Sequence, residues 1–318
     1  MRNVRKTAYG AALLALVLTL GACGSGVSDD NNEPSGGGGG TIASQLTLGG
    51  PPECPKRPFC LPGLKETYGV EFADFERLDV GGPLTVKALA NGQIDVGLLF
   101  STSSAIPDNN FVVLEDDKNL QTAENITPVV RSEVLDDTIT EQLNAVSAAL
   151  DTDTITELNG RVELDREDPA DVAADFLEQE GLLGGASGGS GDLTVGAVAF
   201  AENQIVADMY AQVLEDAGYS VDRKTDLESR EIVYPALKSG EIDLAPEYLG
   251  SLLLYLDPEA EATGDPQNNA DLLVPLLKKD GIELLESSEA NDTNAFVVTQ
   301  ETAEEFDLQT VSDLAAEQ

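Results

Sequence analysis

Residues 192–256 restrict the fold more tightly than any other stretch of this chain. Apolar runs of strand length, 193–200 and 242–244, alternate there with segments of helical period. Ile205, Met209, Gln212, Val213 and Asp216 fall three or four residues apart, with 201–204 as a start signal and Gly218 as a stop. Strand–helix–strand–helix–strand order builds a parallel sheet, since parallel neighbours need a crossover. Polar residues at the strand ends (Glu202, Asn203, Gln204, Glu247, Tyr248) then collect along one rim, where open α/β sheets bind ligands. A binding cleft is the expectation, and the rest of the chain has to say of what kind.

The 318 residues suffice for two lobes, each with a core, and contain neither histidine nor tryptophan. That excludes Ser–His–Asp and Cys–His catalysis and histidine metal sites. The formal net charge of −40, from 58 acidic against 18 basic residues, argues against nucleic acid as a partner, because phosphate binding needs a basic face. Such acidity suits a solvated surface in high salt and favours cationic ligands only weakly.

Arg2, Arg5 and Lys6 precede an apolar run, 11–20, too short to span a bilayer. Leu20, Gly21, Ala22 and Cys23 follow and resemble a bacterial lipobox. The resemblance implies a signal peptide over 1–22, lipidation of Cys23 and a chain anchored to the outer face of the cell membrane. A plain signal peptide or a free thiol is the alternative. Residues 23–40 carry no apolar period and read as a flexible tether. Cys54 and Cys60, in PPECPKRPFC, are expected to form a local disulfide in an oxidising compartment, two buried free thiols being the other reading. Their spacing fits no zinc pattern, so neither metal nor cofactor is expected.

PLTVKALANGQIDVGLLF at 83–100 echoes REIVYPALKSGEIDLAPEYL at 230–249. Each reads as an amphipathic helix, a glycine cap and a buried strand that opens on Ile-Asp. Two copies in different parts of the chain suggest two lobes of similar α/β design, against a chance match of a common unit. NITPVVR at 125–131 and NDTNAFVVT at 291–299 are extended segments of the kind that pass between lobes. GGASGGSG at 184–191 has nothing to pack and is a linker. A last helix starts near Thr310, with Ser312 as a plausible N-cap.

Taken together, VGAVAFAENQIVADMYAQVLEDAGY, ALKSGEIDLAPEYLGS, NDTNAFVVT, TVSDLA, LTLGGPPECPKRPFCLPGL, YGVEF, LEDDKN, TPVVR, LNG and DVAADFLEQEGLL resemble the substrate-binding lipoproteins of ABC importers for osmoprotectants, the glycine betaine/choline/carnitine-binding family. The resemblance covers nearly all of 45–183 and 193–316, but in swapped order, so the chain looks like a circular permutant joined at 184–191. It implies an α/β, two-lobed periplasmic-binding-protein-like fold of type II, each lobe a mixed, mostly parallel sheet flanked by helices. One lobe would comprise 127–293, and the other 41–124 plus 294–318. The two extended segments would act as a hinge.

The resemblance also implies a monomer that takes a small-molecule solute and delivers it to a membrane permease. Carried over by motif, its ligand-facing residues are Gln204, Tyr248, Ser251, Asp292, Asn294, Phe100, Thr102 and Ser103, with Arg131 either meeting a ligand carboxylate or tying the hinge. Plain structural roles stand beside these: a helix cap for Gln204, a core tyrosine for Tyr248, hinge chemistry for Asp292 and Asn294. Relatives that bind quaternary ammonium groups use a box of tyrosines through cation–π attraction. Here Asn294 and Phe100 stand at aromatic positions of that box. Two further readings remain: a sensor or engineered permuted scaffold on the same fold, and a hydrolase using paired carboxylates, for which no pair stands out from the acidic surface.

Overall fold

The two echoing helix–strand units take equivalent places in two separate sheets. A computed structural model describes residues 40–185 and 187–317; the expected signal peptide, Cys23 and the expected tether up to residue 39 lie outside the described residues. Strands β1 (Thr47–Gly50), β2 (Asp74–Arg77), β3 (Val96–Phe100) and β4 (Phe111–Leu114) form one sheet with β10 (Asn294–Thr299), in the order β2-β1-β3-β10-β4. Strands β5 (Ile126–Arg131), β6 (Asp192–Val198), β7 (Ser220–Leu227), β8 (Leu244–Tyr248) and β9 (Ile282–Leu284) form the other, in the order β7-β6-β8-β5-β9. In both, the first strand lies parallel between the second and third, and a strand arriving from the other lobe inserts antiparallel beside the third. This is the two-lobed, periplasmic-binding-protein-like α/β fold.

The Ile-Asp pair of each echo explains why the two units match. Asp95 accepts a hydrogen bond from the Thr47 amide at 2.7 Å, and Asp243 accepts one from the Thr194 amide at 2.9 Å. Each aspartate thereby secures the neighbouring parallel strand. Beside them, Ile94 and Ile242 fill the space over Gly49 and Gly196, where an added Cβ would lie 2.4 Å from the isoleucine Cδ1 in both cases. The preceding helices, Pro83–Ala90 and Arg230–Ser239, both end before a glycine in the left-handed region, Gly92 at φ 64° and Gly240 at φ 75°. Phe100 and Tyr248 then close the two equivalent third strands.

Both faces of each sheet are covered, as mostly parallel sheets require. Along β10, Phe296 and Val298 pack into one core while Ala295 and Val297 pack into another. Along β5, Ile126 and Val130 face the Ala201–Ala217 helix side while Val129 faces the Leu249–Leu256 and Pro266–Lys279 helices. Strand β5 is internal yet contains Pro128, which sits opposite Pro246 of β8. A proline has no N–H for a ladder. In this register neither is asked for one: the Pro128 carbonyl turns away to the Leu285 amide and that of Pro246 to the Asn203 side chain.

Cys54 and Cys60 are joined in a disulfide with Cα atoms 5.2 Å apart, both buried in the first sheet's core. Two expectations need correction. The N-cap of the last turn, Val311–Ala315, is Thr310 and not Ser312: Thr310 and Asp313 form a reciprocal capping box, while Ser312 donates to Asp117. Within the glycine-rich 184–191 stretch, whose other described residues are exposed, Gly189 does pack. The Gly189 amide donates to the Ala217 carbonyl at 3.0 Å, and its backbone lies so close to the Tyr219 ring that a Cβ would clash at 2.4 Å. Among the described residues no helix is long and apolar enough to cross a membrane.

Candidate functional site

The chain crosses between lobes twice, through Glu124 and Asn125 and again through residues 291–293. The two crossings are bonded to each other. Asn125 and Asn291 form an antiparallel bridge, the Glu124 amide donates to Asn291 Oδ1 at 2.7 Å, and Thr293 Oγ1 donates to the Thr122 carbonyl at 3.0 Å. Ser101 ties them to the end of β3, donating through Oγ to the Asn291 carbonyl and accepting from the Thr293 amide. Strands β5 and β10 themselves belong to the sheets, so the crossings are shorter than the two extended segments suggested.

Beside these crossings a polar chain joins the lobes. Tyr248 Oη donates to Glu202 Oε1 at 2.8 Å, and Asn159 Nδ2 donates both to Glu202 Oε2 at 3.0 Å and to the Thr102 carbonyl at 3.1 Å. Thr102 Oγ1 in turn donates to Asp292 at 2.8 Å. Tyr248, Glu202 and Asn159 come from one lobe, Thr102 from the other, and Asp292 from a crossing. A second interlobe bond runs from Ser104 Oγ to Glu163 at 2.6 Å. Glu202 is 3 % exposed and Asn159 4 %. Phe200, 41 % exposed, stacks over Tyr248 with ring centroids 6.3 Å apart.

Next to this chain lies an ion pair. Arg230 holds Glu247 through three contacts of 2.8 to 3.1 Å and also donates to Ser251 Oγ. The Ser251 amide donates to Glu124 Oε2 at 2.9 Å. Burial pushes the Glu202 carboxyl above its usual range, and the nearby Glu163 charge adds to this against the hydrogen bonds it accepts. Burial likewise raises Asp292 well above an ordinary aspartate, reinforced by Glu202 and Glu124, and it raises Glu124. The Tyr248 hydroxyl is driven well up by burial and by the Glu202 charge. Burial opposes the charge of Arg230, but Glu247 and Glu124 outweigh it and hold the guanidinium pKa above its usual value.

Of the nine residues expected from the sequence, four take part in these contacts, Tyr248, Ser251, Asp292 and Thr102, and Ser103 follows Thr102 in the chain. Asn294 sits opposite Phe100 in the β3–β10 pair, its Nδ2 donating to Gln121. Phe100 is 38 % exposed at the end of β3. Gln204 turns the other way and donates to the Thr225 carbonyl of β7 at 2.7 Å. Arg131 stands at the far end of β5, five residues beyond the position facing Tyr248, and is engaged by Asp243 and Glu133. It is not brought to the junction. Glu202, Asn159, Glu124, Arg230 and Glu247 are at the junction but were not among the nine. Glu202 and Glu247 carry a signal, as polar residues at strand ends; Asn159 and Arg230 lie inside quoted motifs, LNG and the 230–249 echo, which do not say which of their residues meet the other lobe. A separate open groove of about 650 Å³, lined by Asn125, Asn144, Asp271, Leu284 and Glu286, lies on the β9 side of one lobe and reaches the first crossing at Asn125.

The sequence profile of the substrate-binding domain of ABC-type glycine betaine transport systems matches residues 30–179 and 191–318. A glycine-betaine-binding protein of Pseudomonas aeruginosa is 35% identical over 144 residues, 44% of this chain and 46% of that protein. The glycine betaine-binding protein YehZ of Escherichia coli is 28% identical over 40% of this chain and 44% of its own length. The carnitine transport binding protein OpuCC of Listeria monocytogenes is 27% identical over 38% and 39%. The chain spans less than half the length of these curated relatives. The profile, however, accounts for most of the chain in two blocks separated by residues 180–190, and on that ground the chain belongs to the family of substrate-binding domains of ABC-type glycine betaine transport systems.

Proposed function

We propose that the chain is the extracytoplasmic solute-binding component of an ABC importer, capturing a small osmolyte-like solute of the glycine betaine, choline or carnitine class between its lobes and delivering it to a membrane permease. The observation that carries this reading is the polar chain Tyr248–Glu202–Asn159–Thr102–Asp292, which runs from one lobe to the other beside two short crossings. A group bound there touches both lobes at once, so its binding energy favours the closed arrangement over the open one. The exposed Phe200 ring, stacked over Tyr248 beside this chain, is available to a cationic nitrogen for a cation–π attraction worth about 0.5–2 kcal/mol. The role is carriage without turnover, by a monomer held at the outer membrane face through a lipid on Cys23.

The chain is also read as a circular permutant. The Ile42 amide donates to the Ala316 carbonyl at 3.0 Å, and Thr41 pairs antiparallel with Glu317, so the described ends meet. The family profile leaves off at 179 and resumes at 191, on either side of the glycine-rich joint. Adjacent ends are what a permuted domain needs.

Isothermal calorimetry with glycine betaine, choline, carnitine, proline betaine and ectoine tests the carrier role. Saturable one-to-one binding of a member of this panel, recovered unaltered after prolonged incubation, is expected. Chemical conversion of the bound solute, or binding of none of them, overturns the reading.

A further inference from the structure

Asn159 is buried at the point where the lobes meet, and its orientation is fixed by two acceptors. Nδ2 spends both hydrogens on Glu202 Oε2 and the Thr102 carbonyl. Exchanging the amide ends would set the oxygen against those two oxygens. Oδ1 is left buried with no hydrogen-bond donor among the described residues. A buried acceptor without a donor is destabilising, so a bound solute that brings an N–H or O–H gains by reaching it.

The charges around Asn159 point the same way. Glu202 accepts from Tyr248, Asp292 from Thr102 and Glu124 from Ser251, the charges of Glu202 and Glu124 both act on Asp292, and Glu163 reaches the junction through Ser104. Their one cationic neighbour among the described contacts, Arg230, is already held by three contacts to Glu247. Arg131, the other candidate for a solute carboxylate, stands at the far end of β5 with its own acidic partners. A zwitterion would therefore bring its carboxylate among carboxylates with no guanidinium free to receive it. A carboxylate-free cation meets carboxylates whose one cationic neighbour, Arg230, is already paired with Glu247.

Resting on the carrier reading above, we propose that the junction selects small organic cations that carry a hydrogen-bond donor and no carboxylate, with Glu202 and Asp292 setting the charge preference and Asn159 Oδ1 receiving the donor. Choline and glycine betaine are a matched probe pair. Both carry a trimethylammonium group, and they differ in a hydroxyl donor against a carboxylate. Agmatine adds a cation rich in N–H donors.

The test is calorimetric titration of the full chain with choline, agmatine, glycine betaine, carnitine and ectoine, repeated on Glu202→Gln, Asp292→Asn and Asn159→Ala after thermal melting has established that each variant folds. A cation is expected to bind tightest, at least tenfold ahead of any zwitterion. Glu202→Gln or Asp292→Asn is expected to shrink that ratio to about threefold or less, and Asn159→Ala to weaken the favoured cation with little effect on glycine betaine. A zwitterion binding tightest, or a cation preference that survives both carboxylate replacements, overturns the proposal while leaving the carrier reading in place. Binding of no solute at all overturns both.

Discussion

Replacing Arg230 by methionine asks whether the ion pair at the junction is scaffold. Glu247 is 4 % exposed and accepts from Arg230 at 3.1, 3.0 and 2.8 Å. Without Arg230, its hydrogen-bond donors among the described residues reduce to the Tyr248 amide at 3.2 Å. Removing one partner of a buried pair costs about 3–5 kcal/mol because the other charge stays buried uncompensated. Two features adjust that range. The Arg230 side chain is 22 % exposed, so water reaches part of the space it leaves, which pulls the cost down. Its charge also supports Glu124 through Ser251, so a second carboxylate loses a favourable neighbour, which pulls the cost up. The two corrections oppose each other, and the expected loss is about 3 kcal/mol. At about 2–4 °C per kcal/mol for a chain of this size, the melting point falls by roughly 6–12 °C. Urea unfolding followed by circular dichroism measures the loss directly. The double variant Arg230→Met/Glu247→Leu is expected to recover most of it, since an apolar pair of similar volume replaces a buried ionic one at little cost. A loss under about 1 kcal/mol for the single variant, or a double variant no more stable than the single, refutes the scaffold role.

Three further outcomes follow from the same structure. Asp292→Asn removes a carboxyl whose pKa is raised by burial and by Glu202, so the folded state takes up its proton more readily than the unfolded chain, and stability is lost as pH rises through the folded value. The variant should melt higher than the parent at pH 7–8, and the gap should close as pH falls toward the unfolded pKa of about 3.9; a gap that is constant with pH, or of opposite sign, contradicts this. The double replacement Cys54→Ala/Cys60→Ala opens a short buried loop and should cost about 2 kcal/mol by loop-closure entropy, read by urea unfolding, with no measurable change counting against it. A chain reordered to begin at Leu193, joined from Glu317 to Thr41 by a short spacer and ending at Leu183, should fold and bind as the parent does, because those ends already pair; failure to fold would count against the permutant reading.

The fold was legible because its signals are local and repeated. The two Ile-Asp echoes specify the same act twice, an aspartate that secures the next parallel strand and an isoleucine over a glycine, and such acts leave sequence marks. The site was legible at strand ends and less so elsewhere. Gln204 and Glu202 differ by two helical positions, about 200° around the axis, so only one of them can face the junction. Helical period gives that angle but not which face meets the other lobe, and the structure turns Gln204 to β7 and Glu202 to Asn159. Arg131 was misplaced for a similar reason. The crossing lies at the start of β5, and five residues of strand at about 3.3 Å each carry Arg131 roughly 17 Å away from it. Asn159 lies in the LNG motif, but its interlobe role is not legible there, since what distinguishes it is contact with Thr102, 57 residues away in sequence.

A crystal structure of the full chain grown with saturating choline tests the central claim most directly. Density for the solute between the lobes, in contact with Tyr248, Glu202 or Asn159 on one side and with Thr102 on the other, is the predicted result. Choline bound in the open groove lined by Asn144, Asp271 and Glu286, with the interlobe junction unchanged, would contradict it.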